Sequence, residues 1–290
     1  MLKLGDIDKL YKQRLSDDDF LNLSYLIETE YGIKMPENKK EMLEARLRKR
    51  LRMLGFDSFT QYCDYLFTQE GMEVELVHML DVVTTNKTDF FRGEDHFEFM
   101  VQQVLPEMIS VEGAGINRDL MIWSAGCSTG EEAYTLAIVL NEFRYRVPGL
   151  QFRFRILGTD LSSRVLDAAA RAVYSEEKLK PVPMNLQRQY LMRSKDPNRR
   201  LLRIVPEVRQ QVKFRRLNFL DGDFGLREPM DIVFYRNVMI YFKRPTQKEI
   251  LTKIIRCIRP GGYLFIGHSE TLSGLELPVH MVVPTIYRKP

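Results

Sequence analysis

The most constraining stretch of the chain is LMIWSAGCSTGEEAYTLAIVL, residues 120–140. An apolar run, Leu120-Met121-Ile122-Trp123, enters AGCSTG, and a second run from Ala133 to Leu140 is long enough for a helix packed on a sheet. Strand, glycine turn and helix in that order predict an open α/β sheet. In such a sheet the ligand crevice lies at the end of the first strand, beside the N-terminus of the helix. Residues 125–130 lack both the GxGxxG spacing of a dinucleotide fingerprint and the Gly-Lys-Ser/Thr of a P-loop. Glu131 and Glu132 follow at once, and paired carboxylates line a pyrophosphate site poorly. They suit a cation. S-adenosylmethionine brings a sulfonium and an ammonium, so an acid at 131 can pair with its amino group while N–H groups of the helix start bind its carboxylate. Two glutamates in a first helical turn can also serve only the helix dipole.

The next acid of interest is Asp160 in GTDLSS, residues 158–163, at the end of a second predicted strand. A carboxylate there can accept both ribose hydroxyls of an adenosine. It stands about 30 residues from the glycine turn rather than the roughly 20 of NAD sites, a distance that the long helix and the VPGLQ loop accommodate. Glycine turn, Glu131 and Asp160 together favour adenosylmethionine over NAD.

From Asp119 onward strands and helices alternate. Predicted strands are 120–124, 152–158, 212–218, 232–235 and 263–267, with helices after the first, second and fourth, and a closing strand over 285–288. The irregular stretch 174–211, with Pro181, Pro183, Pro197 and Pro206, is too long for a simple connection. It reads as a helix and a small β excursion with a strand over 201–205.

Residues 1–85 read as a helical domain, followed by a linker and entry to the catalytic domain over 86–118. Asp17, Asp18 and Asp19 can cap a first helix whose apolar pattern is Phe20, Leu23, Tyr25 and Leu26. A second helix over 38–54 sets Leu43, Leu47, Leu51 and Leu54 on one stripe and stops at Gly55; two more follow over 58–67 and 72–80. The second helix carries Arg46, Arg48, Lys49, Arg50 and Arg52, five cations in seven residues. Such a cluster is either a solvated face or a docking face for an acidic partner.

The bulk properties exclude several classes. With 290 residues, 44% hydrophobic and 28% charged, and no run of 18 uncharged apolar residues, the chain predicts a globular fold without a membrane span. Its N-terminal stretch is charged throughout and carries no apolar signal region. Cys63, Cys127 and Cys257 are odd in number and far apart, which fits a reducing compartment, and the cytoplasm is expected. A formal charge of +4 is compatible with nucleic acid or an acidic protein surface without demanding either. His78, His96, His268 and His280 show no metal-ligand spacing, so no metal is expected.

Six stretches in order, TTNKTDFFR at 84–92, WSAGCSTGEEAYTLA at 123–137, GTDLS at 158–162, LNFLD at 217–221, FYRNVMIYF at 234–242 and GGYLFIGHSE at 261–270, closely resemble the CheR family of chemotaxis receptor, or protein-glutamate, O-methyltransferases. The resemblance covers nearly the whole chain. It implies an all-helical N-terminal domain before a Rossmann-like α/β methyltransferase domain over 119–290, with a small β-subdomain inserted within 174–211. It implies that Asn86, Thr88 and Arg92 close over the S-adenosyl-L-methionine, that Ala125 and Glu131 hold its methionine end, and that Asp160 holds its ribose. Asn218 and Phe219 would flank the adenine, and Asn237, Val238 and Tyr241 would line the crevice. The resemblance also implies a cytoplasmic enzyme, expected to be a monomer, recruited to membrane-bound receptor arrays, with the helical region of chemoreceptors as its partner. No nucleic-acid partner and no membrane insertion are expected, and S-adenosyl-L-homocysteine would be the product.

The residues bear on the chemistry as well. Asn237-Val238-Met239-Ile240-Tyr241 lacks the two prolines of the Asn/Asp-Pro-Pro-Tyr/Phe stretch common in enzymes that methylate amino or amide nitrogens. A glutamate, with a reference pKa near about 4.3, is already a nucleophile at neutral pH and needs no base. Arg92 and Tyr241 are the expected catalytic residues, Arg92 orienting groups with its guanidinium fork and Tyr241 placing its hydroxyl near the methyl. Cys127 reads as a small residue in a tight turn, and His268 as a turn residue supporting the crevice. An RNA methyltransferase, with Arg188, Arg193, Arg199, Arg200 and Arg203 as basic surface, is a second reading, opposed by the lack of an aromatic-rich basic platform. A non-catalytic adenosylmethionine-binding module is a third.

Overall fold

In the computed structural model the hydroxyl of Ser16 accepts the N–H of Asp19 at 3.0 Å and starts helix α1, Asp17–Tyr31. The cap is therefore Ser16. Asp17, Asp18 and Asp19 occupy the first turn instead, where their charge faces the positive end of the helix. The structure describes residues 14–146, 149, 151–196 and 198–290, so the expected signal-free N-terminus, part of the VPGLQ loop and Pro197 lie outside the described residues. The chain divides into two units, one reaching to Thr85 and including Tyr241–Lys243, the other holding Asn86–Ile240 and Arg244–Pro290.

The first unit is helical. After α1 come α2, Lys40–Leu54, α3, Phe59–Leu66, and α4, Leu76–Val83. A short 3-10 turn, Glu37–Lys39, delays the start of α2 past Asn38, and Gly55 ends it in a left-handed conformation with its N–H on Leu51 O. Leu23, Ile27, Leu43, Leu47, Leu51, Tyr62, Leu66 and Met79 form the core. Leu54 and Tyr25, expected on the buried stripes, are exposed, because the core is narrower than the apolar pattern. A π turn, Gly71–Glu75, precedes α4.

The second unit opens inside the expected linker with α5, Glu94–Phe99, a π turn over Met100–Val104, and α6, Leu105–Glu112. Phe97, Met100, Val104, Leu105 and Met108 belong to the α/β core. Then follow β1, Leu120–Ala125; α7, Glu131–Arg146; β2, Phe154–Asp160; α8, Ser163–Arg171; and β3, Val173–Ser175. Next are α9, Met184–Tyr190; β4, Leu191–Arg193; β5, Leu201–Ile204; α10, Pro206–Arg209; and β6, Val212–Arg216. The chain closes with β7, Met230–Tyr235; α11, Arg244–Arg256; β8, Ile258–Ile266; β9, His280–Val283; and β10, Ile286–Arg288.

The large sheet has the order β6-β2-β1-β7-β8-β10-β9, and β3-β5-β4 form a small sheet. Strands β6, β2, β1, β7 and β8 are parallel, while β10 is antiparallel to both β8 and β9. β7 carries only buried residues, as a strand covered on both faces must. The order reverses at β1, which lies between β2 and β7, and that places the crevice at the carboxyl ends of these three strands. The small sheet is the expected β-subdomain, and its centre strand is the one foreseen over 201–205. β9 was not foreseen: its residues are largely exposed at the sheet edge and leave no alternating pattern.

Candidate cofactor and active site

After β1 the backbone turns through Gly126 at φ 86°, and the N–H groups of Gly126 and Cys127 both donate to Thr159 O at 2.8 Å. These bonds tie the turn to the end of β2. A Cβ on Gly126 would lie 2.5 Å from Val238 Cγ2, so only glycine lets the turn approach the 237–238 segment. Ala125 is buried at the end of β1. Beneath the turn, Trp123 donates its indole N–H to Thr159 Oγ1 at 2.9 Å.

Asp160, 9% exposed, accepts the Ser128 N–H at 2.9 Å on Oδ2 and the Ser162 N–H at 3.0 Å on Oδ1. These two bonds fix the carboxylate between the glycine turn and the start of the next helix. Its backbone oxygen accepts the Leu217 N–H at 3.0 Å, which brings Asn218 and Phe219 alongside. Asn218 Oδ1 accepts the Leu220 N–H at 3.1 Å and so closes a local turn. Phe219 packs on Tyr235, its ring centroid 5.1 Å away, and on Phe224 and Trp123.

The two glutamates differ in environment. Glu131, 0% exposed, accepts the Thr129 hydroxyl at 2.6 Å and is paired with Lys178. Glu132 accepts the Ser124 hydroxyl and the Arg236 Nε–H, both at 2.7 Å. Arg236 lies over the Phe97 and Phe234 rings, and its Nη1 donates to His96 Nδ1 at 3.1 Å. His96 Nε2 then faces Thr285 Oγ1 at 2.8 Å. Burial, with Arg236 beside it, pushes the His96 imidazole down to about 4, so it is neutral at physiological pH. His268 stacks on His96 and meets Asp95 at 2.9 Å. Asp95, His96 and His268 are close enough to suggest a metal trio, but hydrogen bonds to Arg236 and Thr285 occupy both His96 nitrogens.

Residues 86–92 are drawn to the cradle through backbone groups. Ser128 Oγ–H donates to Asn86 O at 3.0 Å, the Phe91 N–H donates to Thr135 Oγ1 at 3.1 Å, and Phe90 packs edge-on against Tyr174. Thr88 is half-buried, and Arg92 is exposed with Nη1 3.4 Å from Lys87 O. Opposite, Asn237 has φ 60°, a left-handed conformation held by Glu270. Glu270 Oε2 accepts the N–H of Asn237 at 2.8 Å and of Gly267 at 2.6 Å, while Oε1 accepts that of Met239 at 2.9 Å. Burial raises the Glu270 carboxyl above its ordinary value against the lowering effect of these bonds. Burial also pushes the Cys127 thiol well up, so it is a poor nucleophile.

Tyr241 belongs to the helical unit by its contacts: its carbonyl accepts the Lys34 N–H at 2.8 Å, and Phe242 bridges to Ile33. The cationic cluster does not form one face. Arg50, 8% exposed, points inward to Glu75, which also accepts the Tyr62 hydroxyl at 3.0 Å. Arg48 pairs with Glu44, and Arg46 donates to Val83 O and Thr85 Oγ1. Lys49 and Arg52 are exposed. Sequence reasoning missed Glu270, Arg236 and Lys178; the GHSE and FYRN stretches contained the first two.

The chemistry of this donor set fits S-adenosylmethionine. It offers a glycine cradle, a buried acid at the start of the following helix and a second acid at the tip of the second strand. Sheet order and site together define an S-adenosylmethionine-dependent methyltransferase. Residues 86–287 match the CheR methyltransferase SAM binding domain and residues 18–84 the CheR methyltransferase all-alpha domain. The chain belongs to this family of chemotaxis methyltransferases and is a CheR-type protein-glutamate O-methyltransferase. It is 34% identical to a chemotaxis protein methyltransferase of Borreliella burgdorferi over 95% of each chain. It is also 36% identical to chemotaxis protein methyltransferase 2 of Pseudomonas aeruginosa, over 88% of this chain and 87% of that one. The figure is 35% for the Escherichia coli chemotaxis protein methyltransferase, over 94% and 91%. Among the described residues no helix is long and apolar enough to cross a membrane.

Proposed function

We propose that this enzyme methylates glutamate side chains in the cytoplasmic helical region of chemoreceptors, acting as a monomer recruited to membrane-bound receptor arrays. S-adenosylmethionine, when bound, supplies the methyl group on its sulfonium. The observation that supports the reading is an acid-lined cradle in which the buried His96 and Cys127 are both unavailable as bases. His96 is buried and neutral with both nitrogens engaged, and the Cys127 thiol is held protonated. An ionised carboxylate is the nucleophile that such a crevice serves, because it has no proton to lose.

In this reading Asp160 receives the ribose hydroxyls, Glu131 the amino group, and Ala125 and the turn the methionine end. Asn218 and Phe219 flank the adenine, while Asn86, Thr88 and Arg92 cover the site. Asn237 and Val238 form the opposite wall, where the Glu270 clamp keeps the backbone fixed. Arg92 orients the incoming carboxylate and Tyr241 lies near the methyl. A tight Arg92 pair would stabilise the reactant, whose charges vanish in the transition state, so orientation is its role.

Labelled methyl transfer to receptor and to total RNA tests the reading. Alkali should release methanol from the receptor product, as an ester requires. Label in RNA, or a product stable to alkali, would overturn it.

A further inference from the structure

Lys178 lies in the turn that follows β3, outside every residue assigned above to cofactor or catalysis. Its Nζ pairs with Glu131 Oε1 and comes within 3.5 Å of Thr129 Oγ1. The two partners are unlike: the Glu131 side chain is 0% exposed and that of Lys178 is 44% exposed. A carboxylate buried that deeply demands a compensating charge. The half-exposed lysine supplies it on a flexible stem and can return to water at little cost.

Glu131 has a second anchor besides that lysine. Its other oxygen holds the Thr129 hydroxyl at 2.6 Å, and Thr129 O accepts the Tyr174 hydroxyl at 2.7 Å. The acid therefore stays in place when its cation changes. We propose that Lys178 is the resident counter-ion of Glu131, exchanged for the ammonium of the methyl donor on binding, and that it thereby sets donor affinity. The proposal rests on the reading that Glu131 meets the donor's amino group. Two ammonium groups within about 4 Å on one oxygen repel each other, so each binding event must displace the lysine. Removing Lys178 relieves that competition and also leaves Glu131 uncompensated in the ligand-free protein. Both effects tighten binding.

The test is calorimetric titration of the full chain with S-adenosylhomocysteine, which carries the ammonium, and with 5′-methylthioadenosine, which lacks it. Lys178→Met should bind S-adenosylhomocysteine about five- to tenfold more tightly, the scale of one partly hydrated ion pair, with 5′-methylthioadenosine unchanged. Lys178→Gln, which keeps a donor for Glu131 without the charge, should show the same gain and covers the case in which the Met variant does not fold. Unchanged affinity overturns the proposal. So does weaker binding, which would mean that Lys178 grips the ligand's carboxylate, and so does an equal gain for both ligands. Glu131→Gln separates the two layers. If it leaves S-adenosylhomocysteine affinity intact, the reading of Glu131 fails; if it weakens binding while the Lys178 variants show no gain, only the exchange fails.

Discussion

Glu270 accepts the backbone N–H of Asn237 at 2.8 Å across a sequence separation of 33 residues. One carboxylate thus holds Asn237, Gly267 and Met239. Glutamine offers a single acceptor oxygen, so Glu270→Gln should lower stability by about 2 kcal/mol and weaken S-adenosylhomocysteine binding several-fold. Urea denaturation and titration measure the two effects; full affinity in the folded variant would detach the clamp from the ligand wall.

Asp160→Ala should weaken S-adenosylmethionine binding by roughly 2 to 4 kcal/mol. The Ser128 and Ser162 N–H groups also lose their acceptor, so the melting temperature should fall as well. Asp160→Asn, which keeps one acceptor oxygen, should lose less on both counts. Calorimetry showing wild-type affinity for the alanine variant would contradict the ribose role.

Arg50→Met should cost about 3 to 5 kcal/mol, because it strands the buried Glu75 carboxylate. Denaturant unfolding reads this loss, and cofactor affinity of the folded fraction should be unchanged.

Reversing the exposed pair, Lys49→Glu with Arg52→Glu, should leave fold and cofactor affinity intact while slowing receptor methylation at low salt. Exposed charges steer encounter over about 8 Å at physiological ionic strength, so the wild type should lose more rate than the variant as salt rises. Parallel salt responses would make these residues an ordinary solvated face.

The turnover rate at saturating substrate should be flat from about pH 6 to 8, since the reacting carboxylate is already ionised and needs no base; an ionisation there that disappears on changing His268 would show that a base takes part. His96 carries the opposite kind of pH signature, in stability. Its imidazole is depressed from 6.5 to about 4 in the folded protein, so the unfolded chain binds the proton more readily between those values. The stability contributed by neutral His96 is full above about pH 6.5 and is lost as pH falls towards about 4. His96→Gln lacks this dependence. Unfolding free energies of variant and wild type should converge between pH 7.5 and 5, and a constant difference would mean an exposed, ordinary histidine.

The glycine turn was legible in the sequence because Gly126 adopts a conformation and a close approach that other residues resist. The crevice followed from strand periodicity. The Glu270 clamp was not legible, since neither partner's local pattern reveals a carboxylate that serves a distant loop. Arg50 shows the same limit: helical spacing placed it beside Arg46 and Arg52, and only the position of Glu75 turns it inward.

Trp123 is the single tryptophan in the chain, buried in β1 with its indole on Thr159 and near the Phe219 ring. Its emission is therefore an intrinsic optical probe of the α/β unit alone. Ligand titrations and unfolding of that unit can be followed without a label, while the helical unit, which has no indole, remains silent at that wavelength.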